Sequence, residues 1–314
     1  MTVRFIVLPT PATLAEAAAD RIVAAARNGI RRRGRCMLAL SGGSTPRLVY
    51  PLLASGPRVD AVDWSRVEFF WGDERAVPPG SPESNFGLAQ TLLLDRLPGV
   101  RTEAVHRMPA DAPDLDAAAL RYEAELRRAF GTGPGSRRPS FDLIWLGMGP
   151  DGHTASLFPG ARALAERKRL VLPATAPATS PVSARMTFTL PLINAARTAL
   201  FVVAGADKAA ALRSVRSGSR DLPAARVRAV STLWLVGAVV AGIAAYFIGW
   251  PTWSGFAARR RRDLNTERYL AWRGRAGERP PVATLSIRDR GRLAVAGVLA
   301  LVAVFCLVAY FTYA

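Results

Sequence analysis

The chain is 314 residues long and half apolar, with 42 basic and 24 acidic side chains for a formal charge of +18. An apolar half with charges spread through it excludes a mainly disordered chain. Two cysteines, Cys36 and Cys306, exclude a disulfide scaffold or a cysteine-built zinc site.

Val3–Leu8 is rich in β-formers and stops at Pro9, which predicts a first strand. Thr13–Arg33 sets Leu14, Ala17, Ala18, Ile22 and Ala25 on one face and predicts an amphipathic helix. It runs into the basic cluster Arg31-Arg32-Arg33-Gly34-Arg35. Cations suit a helix C-terminus, and no aromatic platform accompanies them, so nucleic acid is not an expected partner. Cys36–Leu40 predicts a short buried strand, followed by Ser41-Gly42-Gly43-Ser44-Thr45-Pro46 and a helix over Arg47–Ala54. Val67–Trp71 predicts a strand ending at Gly72-Asp73-Glu74-Arg75, with helices at Phe86–Arg96 and Leu115–Phe130 and a surface loop at Gly131–Pro139. Phe141–Gly147 is the next strand and feeds Met148-Gly149-Pro150-Asp151-Gly152-His153. Further strands are expected at Arg169–Pro173, Met186–Leu190 and Ala199–Ala204, and helices at Pro191–Ala196 and Asp207–Arg216. Strands alternating with helices predict an α/β fold, a mainly parallel sheet covered by helices on both faces. Ligands of such sheets sit beyond the carboxyl ends of the strands, where the loops after Leu40, Trp71 and Gly147 fall.

The last quarter has a different texture. Thr232–Trp250 and Leu293–Phe311 are each 19 residues without a charge, and the connector 251–292 carries eleven arginines. Each run could cross most of a ~30 Å hydrocarbon core, and Trp250, Trp253, Tyr310 and Tyr313 sit where interfacial aromatics belong. The expected organisation is a catalytic domain over residues 1–230 and a hydrophobic tail over 231–314, with one or two C-terminal transmembrane helices and membrane lipid as a partner. Two spans would place the arginine-rich connector on the side opposite a cytoplasmic enzyme, against the positive-inside rule. If Thr232–Val236 instead completes the sheet, the rest of the first run lies in the interface, and Leu293–Phe311 alone crosses.

Three groups of residues carry chemistry. Ser41–Pro46 places two glycines between a strand and a helix, where bare backbone approaches an anion and the helix start offers N–H groups. The loop lacks the Gly-Lys-Ser/Thr ending of a P-loop. Asp151 and His153 stand two residues apart in a glycine-rich loop after a strand; an imidazole suits general-base work at neutral pH, and the acid can orient it. Asp73, Glu74 and Arg75 close a third loop. They form either a surface ion pair or an arginine aimed at a phosphate. Arg185 and Lys208 are able to reach the same edge. His106 reads as structural, and no metal-ligand spacing is present.

The stretches Ser41–Leu53 (SGGSTPRLVYPLL), Phe69–Ala89 (FFWGDERAVPPGSPESNFGLA), Phe141–Gly160 (FDLIWLGMGPDGHTASLFPG), Thr189–Leu212 (TLPLINAARTALFVVAGADKAAAL) and Leu222–Val227 (LPAARV) together resemble the 6-phosphogluconolactonases of the oxidative pentose phosphate pathway. The resemblance covers roughly residues 3–230. It implies a Rossmann-like fold shared with the glucosamine-6-phosphate deaminases, and hydrolysis of a phosphorylated sugar lactone with no metal or other cofactor. It places His153 on the general base and Asp151 on its companion acid. Ser41, Gly42, Gly43, Ser44 and Thr45 fall on the substrate loop, and Asp73, Arg75, Arg185 and Lys208 on polar site positions. The deaminases follow the His loop with Ala-Phe-Asn-Glu; here Thr154-Ala155-Ser156-Leu157-Phe158-Pro159 stands in its place, which favours the lactonase over an isomerase or deaminase. A membrane adaptor with an inactive domain is the reading from another class. Lactonases also end on a strand around a tryptophan, which Ser231–Val236 resembles, so the fold and the first apolar run compete for the same residues.

Overall fold

Thr10 and Thr13 each accept the other's backbone N–H, at 3.1 and 3.0 Å, and so cap α1 (Pro11–Arg33) in a computed structural model that describes residues 2–133, 135–219, 221–229, 231–237 and 286–297. Pro11 takes the first turn, where no N–H is needed, and Gly34 ends the helix at φ 76°. Leu14, Ala15, Ala18, Ala19, Ile22, Val23 and Ala26 are buried, whereas Ala17 and Ala25 of the expected face are only half-buried. Of the basic cluster at its end, Arg33 pairs with buried Asp142, whose other oxygen accepts the Met37 N–H at 2.9 Å. Arg33 thus ties the end of α1 to the core beneath it.

Six strands form one sheet in the order β1 (Thr2–Leu8), β9 (Ser231–Gly237), β8 (Thr198–Val203), β5 (Leu143–Leu146), β2 (Cys36–Leu40), β3 (Val67–Trp71), and every neighbouring pair is parallel. Successive side chains of a strand point to opposite faces. Met37 and Ala39 join Phe70, Ile144, Leu146 and Phe201 in one apolar cluster with α5 (Leu115–Phe130). Cys36, Leu38 and Leu40 join Phe69, Trp71, Trp145 and Leu200 in another with α1 and α2 (Ser44–Leu53). Both faces are covered, so these strands read as continuous apolar runs. A second sheet, antiparallel, was not foreseen: β4 (Asp73–Arg75), β7 (Ala184–Phe188) and β6 (Val171–Thr175). The buried Glu123 of α5 anchors it, accepting from Arg169 Nε, Leu170 N and Val171 N.

His106 is structural, as expected. Its Nδ1 lies 2.9 Å from Glu125, its Nε2 2.8 Å from Glu68, and its ring stacks on Phe70 at 4.3 Å. Burial works against the charged ring, but the two carboxylates outweigh it and raise its pKa above the ordinary histidine value. A raised folded-state pKa contributes stability that is present in full below the unfolded value of about 6.5 and lost as pH rises through the folded one. His106→Gln should therefore be less stable than the parent chain near pH 6, with the gap narrowing toward pH 9. Urea unfolding of both chains at each pH measures this, and a gap that widens with pH would contradict it.

Of the two arrangements expected for the first apolar run, the one in which Thr232–Val236 completes the sheet holds, and a membrane helix starting at Thr232 is corrected. Residues 231–237 are not the start of a membrane helix: they are β9, paired with β1 on one side and β8 on the other. The reason is topological, because β1 and β8 do not touch each other and only this segment joins them. The first of two compact units accordingly runs Met1–Gly237. In the second unit 287–297 is helical. The remainder of the run 232–250, the connector up to residue 285 and residues 298–311 of the second run lie outside the described residues. Among the described residues no helix is long and apolar enough to cross a membrane.

Candidate active site

Loops leaving the carboxyl ends of β2, β3, β5 and β8 converge on one cavity of about 240 Å³. β2 and β5 are neighbours, yet the chain leaves β2 for β3 on one side and returns to β5 on the other. The crevice at such a reversal is where open α/β sheets hold ligands.

The first wall is the Gly-Gly loop. Gly43 caps α2 at φ 98° with no side chain to occupy the first-turn N–H groups, so the helix start opens onto the cavity beside Ser44 and Thr45. A Cβ on Gly42 would stand 1.6 Å from Asn85 Oδ1, so only glycine fits there. The hydroxyl of buried Tyr50 donates to the Ser41 carbonyl, and its ring meets Trp145 edge-on at 5.5 Å, which fixes the base of the loop.

The second wall is β4 and its partner. Arg75 lies directly opposite Arg185 across the β4–β7 ladder. Like charges in that position repel, so the arrangement suits an anion between or beside them. Arg75 Nη1 donates to the Glu83 carbonyl at 2.6 Å, while its Nε is buried and without a hydrogen-bond partner among the described residues. Arg185 donates to the Val182 carbonyl and Ser180 Oγ and lies 5.9 Å from the Phe158 ring. Burial pulls its pKa below the ordinary arginine value, with Asp73, 4.0 Å away, pushing the other way. Asp73 is itself held: Ser156 Oγ donates to its Oδ2 at 2.6 Å and Asn85 Nδ2 to its carbonyl at 2.9 Å. Glu74 points inward rather than to solvent. It accepts from the N–H groups of Arg75, Asn85 and Phe86 at 2.8, 2.8 and 2.7 Å and from Ser84 Oγ at 3.0 Å. Burial raises its pKa against these donors. It thereby caps α4 (Asn85–Leu92) and locks the strand that carries Arg75.

The third wall is the loop after β5. His153 Nδ1 lies 2.6 Å from Asp151 Oδ1, which also accepts the His153 backbone N–H at 3.1 Å. A carboxylate partner makes Nδ1 the donor, leaving the lone pair on Nε2. Among the described residues Nε2 has no hydrogen-bond partner, and His153 lines the cavity. The ring lies against Gly149: a Cβ there would be 2.2 Å from Nδ1 and Cε1 and 2.7 Å from Asp151 Oδ1. Gly149→Ala is therefore expected to displace the imidazole and lower kcat by about 10²-fold, the cost of misplacing a catalytic group by roughly 1 Å. Steady-state kinetics beside a thermal melt separates this from unfolding, and a kcat within twofold of the parent would refute it. Lys208 completes the ring from the loop after β8, with its Nζ 3.3 Å from Asp207.

Ser41, Gly42, Gly43, Ser44, Thr45, Asp73, Arg75, His153, Arg185 and Lys208 all line the cavity, and Asp151 stands behind His153. Sequence reasoning missed Asn85, Ser156 and Thr187, whose Oγ1 accepts the Ser156 N–H at 3.1 Å. It also left open a solvent-facing reading of Glu74. The Ser84-Asn85 pair ahead of a helix carried an N-cap signal that could have drawn attention to Glu74 as the acceptor.

The family described as glucosamine-6-phosphate isomerases/6-phosphogluconolactonase matches residues 9–234. A 6-phosphogluconolactonase of Nostoc sp. is 40% identical over 215 residues, 68% of this chain and 85% of the relative. One from Streptomyces coelicolor is 40% identical over 235 residues, 73% and 89%. The crystal structure of the Thermotoga maritima 6-phosphogluconolactonase superposes with a TM-score of 0.65 at 30% identity, covering 75% of this chain and all of that one. The chain belongs to the glucosamine-6-phosphate isomerase/6-phosphogluconolactonase family.

Proposed function

We propose that this chain is a 6-phosphogluconolactonase, hydrolysing 6-phosphogluconolactone to 6-phosphogluconate. The observation that carries the reading is an imidazole held by a carboxylate at Nδ1, with Nε2 unpartnered among the described residues, in a cavity ringed by Arg75, Arg185 and Lys208. In this reading Nε2 of His153 takes a proton from a water molecule, and the water oxygen bonds to the lactone carbonyl carbon. Negative charge develops on the carbonyl oxygen and is met by the cations and the open N–H groups at the start of α2. Collapse breaks the bond between carbonyl carbon and ring oxygen, and the ring oxygen takes the proton back from His153. The new carboxylic acid then loses its proton to solvent. The phosphate supplies binding energy away from the reacting carbon and orients the ring.

The segment Thr154–Pro159, which carries Ser156, supports hydrolysis over deamination. It departs from the deaminase pattern, and its Ser156 engages Asp73 together with Asn85. The purified chain should hydrolyse 6-phosphogluconolactone well above the spontaneous rate and release no ammonia from glucosamine 6-phosphate. The reverse pattern would overturn the assignment, and a background rate in both assays would favour the adaptor reading.

For the tail, one span fits better than two. With 231–237 in the sheet, 238–250 spans only about 20 Å as a helix, short of a ~30 Å core. Leu293–Phe311 alone then crosses the membrane, and the eleven arginines stay with the enzyme on the cytoplasmic side, near anionic lipid. A reporter inserted near Arg262 and found outside the cell would overturn this topology.

A further inference from the structure

The opposite end of the sheet holds a second, larger cavity, of about 750 Å³, lined by Arg138, Arg167, Arg226 and Arg228 around Leu164, Leu190 and Pro191. Arg138 precedes β5, α6 (Leu190–Asn194) precedes β8, and Arg226 and Arg228 precede β9, so this cavity lies at the amino ends of the parallel strands. The catalytic loops leave the carboxyl ends. The two cavities share no lining residue.

Among the described residues no carboxylate lines it. Arg138 Nη2 donates to the Arg167 carbonyl at 2.8 Å, and Arg167 Nη1 to the carbonyls of Leu164 and Glu166 at 3.1 and 2.8 Å. These bonds orient both guanidiniums without neutralising them. Among the described residues Arg228 is tied through its backbone N–H alone, to Asn194 Oδ1. Among the described residues none of Arg138, Arg167 and Arg228 forms an ion pair, while Arg33, Arg58, Arg101 and Arg169 elsewhere each do. Oε1 of the nearby Glu166 accepts the backbone N–H groups of Arg167, Lys168 and Arg169, and Glu166 does not line the cavity. Convergent unneutralised guanidiniums repel one another unless an anion lies among them, and their planar forks match phosphate oxygens. The volume falls within the ~300–1,000 Å³ of small-molecule sites, and the leucine and proline walls provide apolar surface for the body of an organic ligand.

We propose that this cavity is a second binding site, for a small multiply phosphorylated molecule, separate from the lactone site. The test is titration of the full-length chain with ATP as probe, with the lactone site saturated by 6-phosphogluconate. One ATP should bind per chain. Arg138→Gln and Arg228→Gln should each weaken binding about tenfold, the scale of one charge-assisted hydrogen bond, and leave lactone hydrolysis unchanged. Arg228 keeps its backbone bond in the variant, so its fold is spared if Arg138→Gln proves unstable. Arg21→Gln, an exposed charge on α1, should leave binding as it is. Loss of ATP binding on adding 6-phosphogluconate, or equal weakening by Arg21→Gln, would overturn the proposal, as would no binding at all.

Discussion

Replacing His153 with alanine is expected to lower kcat for lactone opening by about 10²- to 10⁴-fold, the usual contribution of a positioned general base, while KM stays within a few-fold. The split follows from the geometry. The Gly-Gly loop, the Arg75–Arg185 pair and Lys208 line the cavity from other loops than the one that carries His153, so ground-state binding survives its loss. Asp151→Asn should lower kcat as well, by a different route. Asp151 accepts from both the ring and the backbone N–H of residue 153. An amide in its place can turn its NH2 toward Nδ1, which stabilises the tautomer with the proton on Nε2, and that nitrogen then has no lone pair for water. Stopped-flow kinetics on both variants, corrected for spontaneous hydrolysis, reads the effect. A His153→Ala chain within threefold of the parent would remove His153 from the mechanism.

Much of this site was legible in the sequence because its parts are loops that follow buried strands. Cys36–Leu40 and Val67–Trp71 are strands with the bounds their apolar runs predicted, and Leu115–Phe130 is a helix with its predicted ends. The loops after them then fall at one end of a parallel sheet with no further information. What the sequence could not convey was which polar groups meet across long separations. Ser156 reaches Asp73 and Asn85 reaches back against Gly42; neither contact leaves a local pattern. Phe86–Arg96 reads as one helix, yet α4 stops at Leu92 and a 3-10 turn follows at Leu94–Arg96, since an apolar period does not mark where packing interrupts a helix. Two strands of the antiparallel sheet were expected, near Arg169–Pro173 and Met186–Leu190, but its third strand and its pairing were hidden. Asp73–Arg75 is three polar residues long, too short and too charged for strand periodicity to register, although it carries two of the site's charged side chains. The second arginine-lined cavity draws on residues from 138 to 228, and only the fold assembles it.

A chain ending at residue 229 should fail to fold, whereas one ending at Gly237 should fold and retain lactonase activity. Among the described residues β9 is the only strand that pairs with β1, in a ladder from Thr2–Ser231 to Leu8–Gly237, and it extends along β8 from Thr198–Ser231 to Val203–Val236. Removing it strips hydrogen bonds from both neighbours at about 0.5–1.5 kcal/mol each and uncovers apolar strand surface. The sum reaches the ~5–15 kcal/mol that holds a domain together. The damage also reaches the cavity, because β8 leads directly into the loop that carries Lys208. Soluble yield, thermal melting and kcat of the two truncations read the outcome. A folded, active chain of 229 residues would make β9 dispensable. Failure of the 237-residue chain alongside an active full-length protein would show that residues beyond Gly237 contribute to the catalytic domain, not only to an anchor.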